Sequence, residues 1–124
     1  MCAENEIPER RNCGRWKVEG GEAIIKREGQ QLRGVCNDIS FKGAGVTLSE
    51  EIEKGEMVEA VIILPGKFPI KIQCKVIWQK KVVKNKVKLG LFFLRISDRT
   101  KGEIFDYILK VDPDQLSSLW WKKA

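Results

Sequence analysis

The sequence predicts an all-β protein, a six- or seven-stranded antiparallel β-barrel followed by one C-terminal α-helix. Three observations carry that prediction. Apolar residues recur with a period of two along most of the chain, and turn-forming residues interrupt them every ~8–12 residues, the spacing of a sandwich or barrel. Residues 70–78 alternate without a break: Ile70, Ile72, Cys74, Val76 and Trp78 share one face, while Lys71, Gln73 and Lys75 share the other. One stretch only, about 99–110, changes to helical spacing.

A first short strand spans 15–19 and closes at Gly20-Gly21; a weaker second strand covers 22–28 and ends near Gly29. A third occupies 32–39 and a fourth 43–48, joined by the small loop Ser40 to Gly43. Residues 49–56 are acidic and non-periodic, with a turn at Lys54-Gly55. Met57 to Leu64 is almost wholly apolar, a buried strand stopped by Pro65-Gly66, whose order fits a type II turn. The alternating strand 70–78 leads through a polar turn around Asn85 to a last strand, 86–96. Leu89 to Leu94 is too continuously apolar for one wet face, so part of its outer side should be covered. The helix is the expected cover. Ile104, Phe105, Ile108 and Leu109 form one stripe, Ser97 or Asp98 caps its start, and Asp112-Pro113 stops it.

A chain of 124 residues, 43% of them hydrophobic, accommodates one ordinary globular domain. No segment approaches the ~20 apolar residues of a membrane span, and the N-terminus lacks the basic-then-apolar order of a secretory signal. A cytoplasmic location is therefore expected. The net charge of +6 favours an anionic partner without naming one. There is no histidine, which removes the commonest general base and the Cys/His zinc patterns. The four cysteines (Cys2, Cys13, Cys36 and Cys74) form no CxxC pair, and Cys36 and Cys74 fall in apolar strand patterns, as buried thiols do. With no nucleophile–base pair and no Gly-Lys-Ser/Thr phosphate loop, the sequence points away from an enzyme, and no metal or cofactor is expected.

Two motifs fall where such a barrel would carry a site. Arg11-Asn12-Cys13-Gly14-Arg15 is an R-x-x-x-R pattern directly ahead of the first strand. Asp38-Ile39-Ser40-Phe41-Lys42-Gly43 is a D-x-S-x-x-G pattern at a strand-to-strand loop. One hairpin separates Arg15 from Asp38, so the end of the third strand can return beside the start of the first. The chemistry of the set suits a guanine nucleotide. An arginine donates two hydrogen bonds to guanine O6 and N7, and a second lies on the purine or pairs with a phosphate. An aspartate accepts from N1–H and the exocyclic amine, a serine adds an adaptable polar contact, and a glycine permits close backbone approach. R-x-x-x-R alone is weak, since Arg95 and Arg99 repeat it at a strand-to-helix junction where a solvated surface suffices.

Taken together, these residues resemble the PilZ domain family, bacterial receptor modules for cyclic di-GMP. The resemblance spans about residues 10–110 and rests on Arg11/Arg15, on Asp38-Ile39-Ser40 with Gly43, on Val76-Ile77-Trp78 and on Gly90-Leu91-Phe92-Phe93. It implies a PilZ-like split barrel ending in a helix, with cyclic di-GMP lying across the outer surface. It implies binding by Arg10, Arg11, Arg15, Asp38, Ser40 and Gly43, with the arginines on a flexible N-terminal segment that orders over the nucleotide. By the same resemblance the third arginine, Arg10, accompanies an intercalated ligand dimer, two molecules per protomer. Residues 1–9 are then a flexible tail and 111–124 a tryptophan-containing tail.

The expected function is a receptor or adaptor that changes the conformation of its N-terminal arm on binding and signals to a downstream protein partner. Two other readings are carried: a PilZ-like adaptor that docks without the ligand, and a small basic barrel that binds single-stranded nucleic acid. The run Lys67 to Lys88, with eight lysines and no acid, is the nucleic-acid candidate, but on alternating strands such lysines mark a solvated face and protect edges. The acidic segment Glu50 to Glu59 reads as a solvated loop. Trp120-Trp121 suits a tail folded back on the barrel, homodimer packing or an interfacial contact. Trp16 and Trp78 read as core or site-edge residues.

Overall fold

The computed structural model describes residues 14–112. Along this span run β1 (Trp16–Arg27), β2 (Gln30–Ile39), β3 (Gly43–Leu48), β4 (Met57–Ile63), β5 (Ile70–Val83), β6 (Lys86–Arg95) and α1 (Asp98–Val111). All pairings are antiparallel, and the order β1-β2-β3-β6-β5-β4 closes into a barrel through β1–β4 pairing. Closure gives each strand two neighbours and removes the open edges that an all-β sheet otherwise exposes.

Alternation fills the interior. Ile25, Cys36, Val46, Ala60, Ile72, Cys74, Val76 and Leu89 are all buried, one or more from every strand. Cys36 and Cys74 are free thiols within this core. Burial pushes both up to about 12; for Cys36 the charge of Asp38 adds to that rise.

The barrel has six strands because two predicted strands are one. Gly20-Gly21 is a bulge inside β1, where the register jumps from Lys17↔Asp38 to Gly21↔Cys36, so three residues of β1 face one of β2. Gly20 sits at φ +85°, and a β-carbon on Gly21 would press on Val18 and on the Cys36 carbonyl. A bulge in β5 brings a second correction. Val76 pairs with Leu91 and Trp78 with Gly90, leaving Ile77 extra. The shift expels Trp78 from the core face, and it is 40% exposed.

The helix also sits differently. Ser97 is its N-cap, accepting from the Thr100 N–H, and Asp112 ends it. Its buried residues are Ile104, Tyr107 and Ile108, with Phe105 packed at the core's margin, while Leu109 faces solvent. Helix contacts run to the start of β1 (Trp16 Nε1 to Asp112 Oδ2, 3.0 Å), to the 40–43 loop (Phe41 on Phe105) and to the β4–β5 turn (Lys67 to Glu103 and Asp106). These three places lie at one end of the barrel, so α1 closes that end and leaves the outer side of β6 open. Phe92 and Leu94 stay 43% and 42% exposed, against the expectation that the helix covers them.

Candidate ligand-binding surface

The D-x-S-x-x-G segment is a tight link between β2 and β3, stitched by its own serine. The Ser40 N–H donates to the Gly43 carbonyl at 2.8 Å. The Ser40 hydroxyl accepts from the Lys42 and Gly43 N–H groups, both at 3.1 Å, and donates to the Gly43 carbonyl at 3.2 Å. The hydroxyl is thus buried and fully engaged inside the loop, where it sets the loop's shape. Gly43 is needed for a steric reason: a β-carbon there would collide with the Leu91 carbonyl across the β3–β6 ladder.

That loop fixes Asp38 beside the entry to β1. Trp16 pairs with Ile39 and Lys17 with Asp38, as the one-hairpin separation predicts. Arg15 Nη2 donates to Asp38 Oδ1 at 2.7 Å across 23 residues of sequence. Both side chains remain partly open to solvent, 42% and 27% exposed, so water screens the pair and can exchange with it. Of the predicted site residues, the structure brings together Arg15, Asp38, Ser40 and Gly43. Arg10 and Arg11 lie outside the described residues.

Following the register outward from Asp38 reveals residues that the motifs did not include. Asp38 pairs with Gly45, Gly45 with Gly90, and Gly90 with Trp78, a straight row across β2, β3, β6 and β5. A β-carbon on Gly45 would stand 2.9 Å from Asp38 Oδ2, and one on Gly90 would run into the Trp78 indole. Two glycines therefore make a flat floor, with a carboxylate folded over one end and an indole over the other. In the adjacent row on one side, Gly43 pairs with Phe92 and Phe92 with Lys75; on the other side, Thr47 pairs with Lys88 and Lys88 with Lys80. The result is a shallow outer surface that offers an acceptor, a guanidinium, two exposed aromatic rings and the three lysines Lys75, Lys80 and Lys88. Among the described residues no cluster of Cys, Asp and Glu assembles to hold a metal ion.

The sequence carried some signal for this floor. Gly43-Ala44-Gly45 in β3 and Gly90 in β6 are glycines within strands, which mark close approach. Their alignment with Asp38 and Trp78 depends on two bulges, in β2 and β5, that periodicity does not show.

A family model described as PilZ domain matches residues 9–110. The chain belongs to the PilZ domain family. The barrel is also similar to PilZ structures already solved. YcgR of Escherichia coli in complex with c-di-GMP superposes with a TM-score of 0.69 at 15% identity, covering 85% of this chain and 47% of YcgR. The inhibitor of motility MotI/DgrA of Bacillus subtilis gives 0.68 at 20% identity, covering 82% and 50%. The isolated PilZ domain of Escherichia coli YcgR with c-di-GMP gives 0.62 at 15% identity, covering 85% of this chain and 93% of that domain. This PilZ chain spans about half the length of the first two relatives. No curated protein matches it in sequence. None of its described helices is long and apolar enough to cross a membrane.

Proposed function

We propose that this PilZ protein is a cyclic di-GMP receptor, a binding module rather than an enzyme, that takes its ligand on the outer face of β2, β3, β6 and β5. The observation that carries the proposal is the meeting of Arg15 and Asp38 at 2.7 Å beside the glycine floor. The similarity to structures that hold c-di-GMP supports that ligand for this site.

In this reading the ligand divides the Arg15–Asp38 pair between its own edges. Asp38 accepts from guanine N1–H and the exocyclic amine, and Arg15 donates to O6 and N7 or to a phosphate. Gly45 and Gly90 let the Asp38 carboxylate and the Trp78 indole lie close against the sheet, and the exposed part of the indole offers a stacking surface to a purine. Ser40 and Gly43 act one step back, by holding the loop that aims Asp38. Arg11 and Arg10 reach the ligand from the segment ahead of β1, and Arg10 supports a second, intercalated molecule. Closure of that segment over the nucleotide then presents a changed surface to a protein partner, in the cytoplasm.

Calorimetric titration with cyclic di-GMP tests the assignment. Saturable binding is expected for the wild type, with a stoichiometry of two per protomer when Arg10 is present and one in Arg10→Ala. Binding of any single-stranded oligonucleotide at comparable affinity, with no response to the dinucleotide, would replace this reading with the nucleic-acid one.

A further inference from the structure

The β5–β6 hairpin projects beyond the barrel that supports it. β4 pairs with β5 only from Ile70 to Lys75, and β3 pairs with β6 only as far as Val87. The loop 49–56 reaches along β5 to Lys81, which Glu51 meets at 3.2 Å. Past that point the two strands have only each other, with Val83 paired to Lys86 and the turn completed by Asn85 at φ +61°. Every residue from Lys80 to Lys86 is exposed, so the tip has no buried face.

Its composition is unlike that of a merely solvated tip. Lys80, Lys81, Lys84, Lys86 and Lys88 surround Val82 and Val83, which are 52% and 56% exposed, and no acid lies between them in sequence. Lys80 and Lys88 stand directly opposite each other, an arrangement that is unfavourable in an isolated sheet. Among the described residues Lys81 alone of these five has an acidic partner. Strand propensity accounts for valine here and edge protection for a lysine or two. Neither accounts for two adjacent open valines among four lysines that have no acidic partner among the described residues.

We propose that the hairpin tip docks on an anionic lipid bilayer. Val82 and Val83 enter the interfacial region, and Lys80, Lys84, Lys86 and Lys88 lie over headgroup phosphates. Nucleic acid fits the tip less well. Readers of a phosphate backbone add stacking rings or forked donors to their lysines, and residues 80–86 have no aromatic and no arginine. Two aliphatic side chains gain nothing against a phosphate backbone and gain burial in a bilayer. The proposal stands apart from the cyclic di-GMP reading, because it shares only Lys80 and Lys88 at the rim of that surface and is tested without nucleotide.

Full-length protein is sedimented with vesicles of phosphatidylcholine containing phosphatidylglycerol, and with pure phosphatidylcholine, at low and high salt. Binding to the anionic vesicles alone, falling with salt, is expected. The charge-reversed K80E/K84E/K86E protein should lose at least about 100-fold in affinity, taking about fivefold for each surface lysine removed. Val82→Ser with Val83→Ser should lose about tenfold with the charge unchanged. Trp120→Ala with Trp121→Ala should bind within about twofold of wild type. Unchanged circular dichroism shows that each variant is folded, and the exposure of residues 80 to 86 makes that the expected result for the hairpin variants. Wild type that stays in the supernatant, or a charge-reversed protein that sediments like wild type, overturns the proposal. So does tighter binding to a random oligonucleotide than to the anionic vesicles, or loss of vesicle binding confined to the Trp120/Trp121 variant.

Discussion

Arg15 and Asp38 hold each other on an open surface, and that exposure separates their contribution to stability from their contribution to binding. An exposed ion pair stabilises a fold by ~0–1 kcal/mol, whereas charge-assisted hydrogen bonds to a ligand contribute ~1.5–3 kcal/mol each. Asp38→Ala should therefore melt within a few degrees of wild type yet bind cyclic di-GMP at least ~10-fold more weakly, which paired calorimetric and thermal measurements check. Gly45 offers a sharper test, because a β-carbon there meets the Asp38 carboxylate at 2.9 Å or a little more. Gly45→Val should abolish tight binding by displacing the Asp38 carboxylate, even though valine suits a strand. Trp78→Ala should weaken binding by about 1–3 kcal/mol, the usual worth of one stacked base, and remove a ligand-dependent part of the tryptophan fluorescence. Ser40 was legible in the sequence as a member of the motif but not in its role. That its hydroxyl is fully engaged by Lys42 and Gly43 follows from the loop's fold, which the motif spacing alone does not determine.

At the scale of elements, the strands were legible wherever alternation was unbroken and misread at the bulges of β1 and β5. The interior face of β5 from Ile70 to Val76 came out as its pattern indicates. Trp78 did not, because the extra residue Ile77 reverses every later side chain, and a single inserted residue leaves no mark in composition. In β1 the same cause worked the other way. Gly20-Gly21 looks like a turn and is a bulge, since the glycines relieve crowding against Val18 and Cys36 within one continuous strand. The helix was placed correctly along the chain, but its partner was not. Its stripe seats Ile104, Tyr107 and Ile108 over the barrel end with Trp16 and Phe41, instead of across β6. Ser97→Ala, which removes the cap on Thr100, should cost about 1 kcal/mol in denaturant unfolding. Ile104→Ala, which empties a wholly buried site, should cost ~2–5 kcal/mol.

For the whole molecule, closure of six strands makes the interior dry enough to hold two neutral thiols and leaves recognition to the outside. Cys36 and Cys74 are both pushed up to about 12, above the value near 9 of an unfolded chain. Their folded pKa values are raised, so the stability linked to them is fully present below pH 9 and is lost as pH climbs from 9 towards 12. Thermal melting should accordingly fall above pH 9, and Cys36→Ala/Cys74→Ala should flatten that part of the profile. In the proposed reading an outer-face site leaves the sheet in place, and the rearrangement on binding falls on the Arg15–Asp38 pair and on the segment ahead of β1. The most direct measurement is a calorimetric titration of cyclic di-GMP into the wild type and into Arg15→Ala and Asp38→Ala proteins at one salt concentration. The account predicts saturable binding by the wild type and at least ~10-fold weaker binding by both variants, each still folded. Wild-type affinity in both variants, or no heat with the wild type, would contradict it.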